Sequence, residues 1–306
     1  MFWALLSGIG ACADAAYYIV NKKFLQSVEP DLLAGTGFLF TSAFLLAIAL
    51  VRGIPVLGPD FFVAVGATCA INVLGTTLAF RALKSTDISL AVPMLSFTPL
   101  FLLLTAALML HEIPSLIGIA GILIIVFGSY VLNTAAEHER LLDPFRAMVS
   151  HPGIFSMLFV SFLYAISIGF DKMVVLNSDT VFGSGVVFLI LGSAFLSIFL
   201  VKRWTKMKKA GALAHNNAPA PCQLPNSSRD ILMVGIAIGA LLTLEAIVIN
   251  EAYLVQIVPY VSAIKRMSIL ITVLYGTMVI REEEIFRRLS GAGLMVAGAV
   301  LILLFP

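Results

Sequence analysis

Residues 81–132 read RALKSTDISLAVPMLSFTPLFLLLTAALMLHEIPSLIGIAGILIIVFGSYVL. Two apolar runs, near 88–110 and 115–133, are joined by a short polar turn that contains Glu112 and Pro114. Each run has the length of about 20 apolar residues that crosses a bilayer core. Both are continuously apolar, whereas a membrane β-barrel alternates apolar and polar positions in ten-residue segments. A bilayer interior admits only helices or closed barrels, so these runs are helices. A displacement of 170 residues lays this stretch on a later one without a gap. Ala82 then meets Ala252, Glu112 meets Glu282, Gly121 meets Gly291 and Gly128 meets Gly298. At a displacement of 150, Asn21-Lys22 meets Asp171-Lys172.

Ten such runs occupy the 306-residue chain, near 2–20, 32–51, 61–80, 88–110, 115–133, 153–170, 181–201, 230–250, 257–280 and 288–305. Hydrophobic residues make up 60% of the chain and charged ones 12%. A soluble domain carries about 25% charged residues, so the excess apolar surface must face lipid. Mean hydropathy of +1.04 agrees. No basic cluster opens the first run, which is read as a permanent helix and not a cleaved signal.

Runs one to five correspond to runs six to ten. Five is odd, so the second copy enters the membrane from the opposite side, giving an inverted repeat of the kind found in secondary transporters. The expected fold is an all-α membrane protein of ten transmembrane helices, with repeats at 1–135 and 153–306. Residues 136–152 form a linker and 202–230 a polar loop. Fifteen Lys and Arg residues, from Lys22 to Arg288, lie in the connections after the odd-numbered runs. Only Arg52 and Lys172 lie in the others. Positive charge stays inside, so both termini are expected outside. The loop run KRWTKMKK (202–209) is expected to set orientation and touch anionic lipid.

The stretch quoted above resembles the EamA repeat of the drug/metabolite transporter superfamily. The resemblance rests on an apolar helix with Pro93 and Pro99, on Glu112 at its end, and on Gly121 and Gly128 in the next helix. The second copy runs from Asn250 to Leu303. The resemblance implies a ten-helix carrier with a central cavity between the halves, similar to exporters and importers of amino acids, sugars, nucleotide sugars and drugs. It leaves the substrate open. The second copy departs from the first by placing Lys265-Arg266 where the first has Leu95-Ser96.

Ionisable groups within a span cost about 2.5–3.5 kcal/mol each on insertion scales and persist where they face a cavity or a partner. Asp14, Glu245, Lys265 and Arg266 are such groups, and Asn72 is the notable neutral one. Glu245 lies about 8 Å before the end of run eight and Lys265 about 12 Å into run nine, at 1.5 Å per residue. One short connection joins those ends, so the two groups share a depth and either Lys265 or Arg266 can pair with Glu245. Neighbours on a helix point about 100° apart, which leaves the other cation for the cavity. A cationic site for a carboxylate or phosphate is one outcome. A structural ion pair that locks runs eight and nine is the other. Glu245, and more weakly Asp14, are candidates for proton coupling. Tyr17, Tyr18 and Tyr260 are expected to line the cavity with their hydroxyls, or else to sit in interfacial belts. Pro93, Pro99 and Pro259 are hinge candidates or simple packing kinks. Lys22 and Lys172 are read as interfacial anchors, with Asp171 interfacial beside Lys172.

These observations favour a secondary or facilitative carrier in the cell membrane, moving a small polar or anionic metabolite by alternating access. A channel, a lipid flippase and a membrane protein without transport activity are the alternatives. No nucleophile, paired carboxylates or metal cluster marks an enzyme. No GxxxxGK[ST] loop marks an ATPase. The three cysteines (Cys12, Cys69, Cys222) and four histidines show no metal or disulfide spacing. No cofactor, metal or nucleic-acid partner is expected. The partners are a small solute and the lipid bilayer, and the oligomeric state is left open.

Overall fold

The computed structural model describes residues 1–24, 28–85, 92–134, 152–213, 228–280 and 285–305. Its regular elements are helical throughout. In chain order they are α1 (Phe2–Phe24), α2 (Pro30–Arg52), α3 (Phe61–Ser85), a 3-10 segment (Val92–Phe97), α4 (Thr98–Met109), α5 (Leu116–Thr134), α6 (Pro152–Leu176), α7 (Phe182–Leu213), α8 (Ser228–Val255), α9 (Val258–Lys265), α10 (Met267–Ile280) and α11 (Ile285–Leu304). By length and composition, six helices can cross a membrane: α1, α2, α3, α6, α7 and α8. Three further apolar helices, Pro93–Met109, Leu116–Leu132 and Ser290–Leu304, are shorter. Large apolar side chains such as Val51, Phe62, Leu108 and Leu116 point outward, as a lipid-facing surface requires. The chain is a multi-pass membrane protein.

Hydroxyls on these helices turn inward on their own backbone. Ser7 donates to the Trp3 carbonyl at 2.8 Å, Thr41 to Gly37 at 2.9 Å and Thr243 to Gly239 at 2.7 Å. That satisfies them where neither water nor lipid can.

Two runs that hydropathy draws as single helices are interrupted. Among the described residues of the fourth, a 3-10 segment comes first and the chain becomes α-helical at Thr98. Pro99 has no N–H for the Leu95 carbonyl, four residues back. The Thr98 hydroxyl donates to that carbonyl instead, at 2.8 Å. The ninth run breaks at Arg266, whose N–H donates to the Ser262 and Ala263 carbonyls at 3.3 and 3.2 Å. No proline causes that break. Pro259 sits in the first turn of α9, where a missing N–H costs nothing, and so does not act as the kink expected of it. The break at Arg266 lies 170 residues after Ser96, which is within the 3-10 segment.

The largest packing contacts all join the first part of the chain to the second: α5 with α11, α2 with α7, α3 with α6, and α1 with α8. Where α5 crosses α11 the backbones nearly touch. A Cβ at Gly128 would stand 2.7 Å from the Gly291 carbonyl oxygen, and one at Gly121 would stand 2.9 Å from that of Gly298. Only glycine allows this approach. One end of the bundle carries both chain termini. There Trp3 stacks on Tyr260, centroids 6.4 Å apart, and Ser115 donates to the Phe305 carbonyl at 3.2 Å. At the other end α7 presents exposed Lys202, Arg203, Lys206 and Lys208, and Lys202 and Lys206 pair with Asp31 and Glu29 at 2.5 and 3.0 Å.

Candidate functional site

Between the two parts of the chain lies a cavity of about 390 Å³. Such a volume suits a small-molecule ligand. Helices α1, α3, α4, α6, α7, α8 and α9 all contribute to its wall. The break after α9 places Lys265 and Arg266 at a helix end, and both line the cavity. Lys265 forms an ion pair with Glu245 of α8. The Glu245 side chain is 10% exposed and that of Lys265 is 32% exposed. Arg266 is half-buried and makes no ion pair among the described residues. Its guanidinium is thus available to a ligand.

A second polar group faces the cavity from α3 and α6. Thr68 donates to an Asp171 carboxylate oxygen at 2.6 Å. The Thr68 and Ser167 hydroxyls share a hydrogen bond of 2.8 Å. Asn72 donates to Ser167 at 2.7 Å and to the Thr68 carbonyl at 3.0 Å. On the α7–α8 side, Asn250 donates to Ser184 at 2.6 Å. Asp14, Tyr17 and Tyr18 of α1 and Tyr164 of α6 complete the polar wall. The cavity therefore offers a free guanidinium, an internally neutralised Lys–Glu pair, further carboxylates at Asp14 and Asp171, and neutral donors.

Of the residues singled out from sequence, Asp14, Tyr17, Tyr18, Asn72, Pro99, Glu245, Lys265 and Arg266 line this space. Tyr260 does not. It is 1% exposed, and its hydroxyl accepts the Ser115 N–H at 3.0 Å, so it belongs to the core at the terminus end. Pro93 and Pro259 also lie outside the lining. Lys172 is not an interfacial anchor: it is buried and paired with Glu112. Asp171 is not merely interfacial, since it lines the cavity. The repeat partner Glu282, the side chain of Lys22, residues 136–151 of the linker, and residues 214–227 of the polar loop with Cys222 lie outside the described residues.

Sequence reasoning missed Asp171, Tyr164 and Asn250. A signal existed for the first two. Tyr164, Ser167 and Asp171 fall at i, i+3 and i+7, and Thr68 and Asn72 at i and i+4. Those spacings put each set on one helix face.

A family model matches the first part of the chain that builds this cavity. Residues 1–134 match the EamA-like transporter family. The match covers the first 134 of the chain's 306 residues. A search of curated proteins finds no match. Among solved structures, a chain described only as a crystal structure of a protein is 16% identical. The alignment covers 99% of this chain and 98% of that one, with a TM-score of 0.74. That likeness is one of fold alone, and it extends beyond the EamA-like region to the whole molecule.

Proposed function

We propose that this EamA-like chain is a secondary or facilitative carrier that moves a small polar or anionic metabolite across the cell membrane by alternating access. The observation that carries the proposal is the cavity shared by both halves, with an uncommitted Arg266 beside the Lys265–Glu245 pair. Arg266 receives the acidic group of the solute, because a guanidinium matches a carboxylate or phosphate through two parallel hydrogen bonds. Lys265 lies within electrostatic reach of Glu245 and Asp14, and Asp171 within reach of Lys265. An arriving anion competes with Glu245 for Lys265, and the released carboxylate then takes a proton. Asp14 is the second candidate for that coupling. Asn72, through its amide, reads neutral polar groups.

The architecture is that of two inverted five-helix copies with ten crossings. Packing supports it. If α1, α2 and α3 correspond to α6, α7 and α8, then α3–α6 and α8–α1 are the same contact made twice, and α2–α7 maps onto itself. The glycine crossing of α5 and α11 has the same property, with Gly121 against Gly298 and Gly128 against Gly291. The matched interruptions in runs four and nine support it too, since broken helices at corresponding places mark the binding site in such carriers. Pro93 lies within the first interruption and Pro99 just after it, and together they serve as its hinge. The Lys and Arg distribution puts the terminus end outside.

A thermal-shift screen of the purified protein against amino acids, sugars, nucleotides and organic anions tests the site. A ligand at a hundred times its Kd adds about 2.7 kcal/mol of stability. At least one acidic class should raise the melting temperature, and Arg266→Gln should abolish the rise. A shift that survives Arg266→Gln would remove Arg266 from the site.

A further inference from the structure

Next to the cavity, at the terminus end, lies a second ionic cluster that solute binding does not use. His111, just past α4, adopts φ 57°, a left-handed conformation uncommon outside glycine. The chain reverses there, and the Glu112 N–H returns to the Ala106 carbonyl at 3.2 Å. The reversal aims the Glu112 carboxylate at two targets in the second half. One oxygen pairs with Lys172 of α6. The other accepts the Val258 N–H, at the start of α9, at 2.7 Å. Lys172 also donates to the Gln256 carbonyl at 3.4 Å. The two side chains are only 10% and 12% exposed.

We infer that the Glu112–Lys172 pair is the latch of a gate: it holds α4 against α6 and α9 at the terminus end, and that end opens when the pair parts. The inference rests on the carrier assignment for its purpose but not for its geometry. A buried ion pair contributes little stability over an apolar pair of the same size, and its best-attested use is to set a register or a switch. This one joins the first half to the second, so any movement that separates the halves there must break it. A second cross-half bond at that end, Gly58 N–H to the Asn177 carbonyl at 2.8 Å, is neutral backbone and yields without stranding a charge. Lys172 follows Asp171 in the chain, and Asp171 lines the cavity. One peptide unit thus connects the wall that a solute touches to the latch.

The test uses a full-length chain with Cys12, Cys69 and Cys222 replaced by Ala and a reporter cysteine at Ile168, which lines the cavity one turn from Asp171. A membrane-impermeant maleimide is applied from the side that carries the termini. Glu112→Gln keeps an acceptor for the Val258 N–H but removes the charge, and Lys172→Met removes the partner. Each should speed labelling about tenfold by shifting the population toward the open end. The double variant should be no faster than either single one, and Lys172→Arg should stay as slow as the parent. Unchanged labelling in Glu112→Gln, multiplying effects, or a Lys172→Arg as fast as Lys172→Met would overturn the latch. Should Lys172→Met not fold, Glu112→Gln decides alone. Labelling needs no solute. If it behaves as expected while no solute binds or crosses, the carrier assignment fails and the latch stands.

Discussion

Lys265 and Arg266 are neighbours in the chain with different surroundings. Lys265 is paired with Glu245, and Arg266 lines the cavity with no ion-pair partner among the described residues. Substitutions should separate the two roles. Lys265→Met leaves a buried carboxylate without its ion. Breaking one side of a buried pair costs about 3–5 kcal/mol, and the partial exposure of Lys265 brings that down to about 1–3. Melting in detergent should fall accordingly, and the double variant Glu245→Gln/Lys265→Met should recover most of the loss. A double variant as unstable as the single one would show that packing, not charge, was lost. The Lys265–Glu245 contact was legible in the sequence because one short connection sets the depth of both residues. The place of Asp171 was not. An apolar run ends at its first charges, yet α6 continues to Leu176. What holds Asp171 and Lys172 inside are Thr68 and Glu112, more than fifty residues away in the chain.

At the scale of elements, the glycines matched by the 170-residue displacement are ones that approach each other in space. Gly128→Ala should destabilise by about 1–3 kcal/mol, because the added Cβ meets backbone that has nowhere to go. Gly66→Ala and Gly293→Ala, where nothing lies within 4 Å of the new carbon, should be neutral or slightly stabilising. Thermal melting of the three variants side by side checks this, and equal melting of all three would mean the α5–α11 crossing is looser than described. Hydropathy located the elements well because lipid demands long apolar helices wherever the chain crosses. It could not see the break at Arg266. No proline or glycine marks it, and apolar residues continue on both sides. The proline at the start of α9 was the misleading signal: proline breaks a helix in its interior and is harmless in its first turn.

At the scale of the molecule, interleaved halves enclose a cavity whose charged groups come mainly from α1, α6, α8 and the break between α9 and α10. The internal displacement of 170 residues is plain in the sequence, since matched residues in apolar helices leave a trace in composition and spacing. Which helices of one half face those of the other depends on packing, which composition does not encode. Alternating access requires that this cavity bind a solute and expose it to one side at a time. Uptake of radiolabelled solute into proteoliposomes, using the class that stabilises the purified protein, tests that requirement most directly. Uptake should saturate with concentration, accelerate when unlabelled solute is preloaded inside, and be lost in Arg266→Gln with normal protein incorporation. Flux that rises linearly without saturation, ignores preloading and survives Arg266→Gln would contradict the carrier assignment.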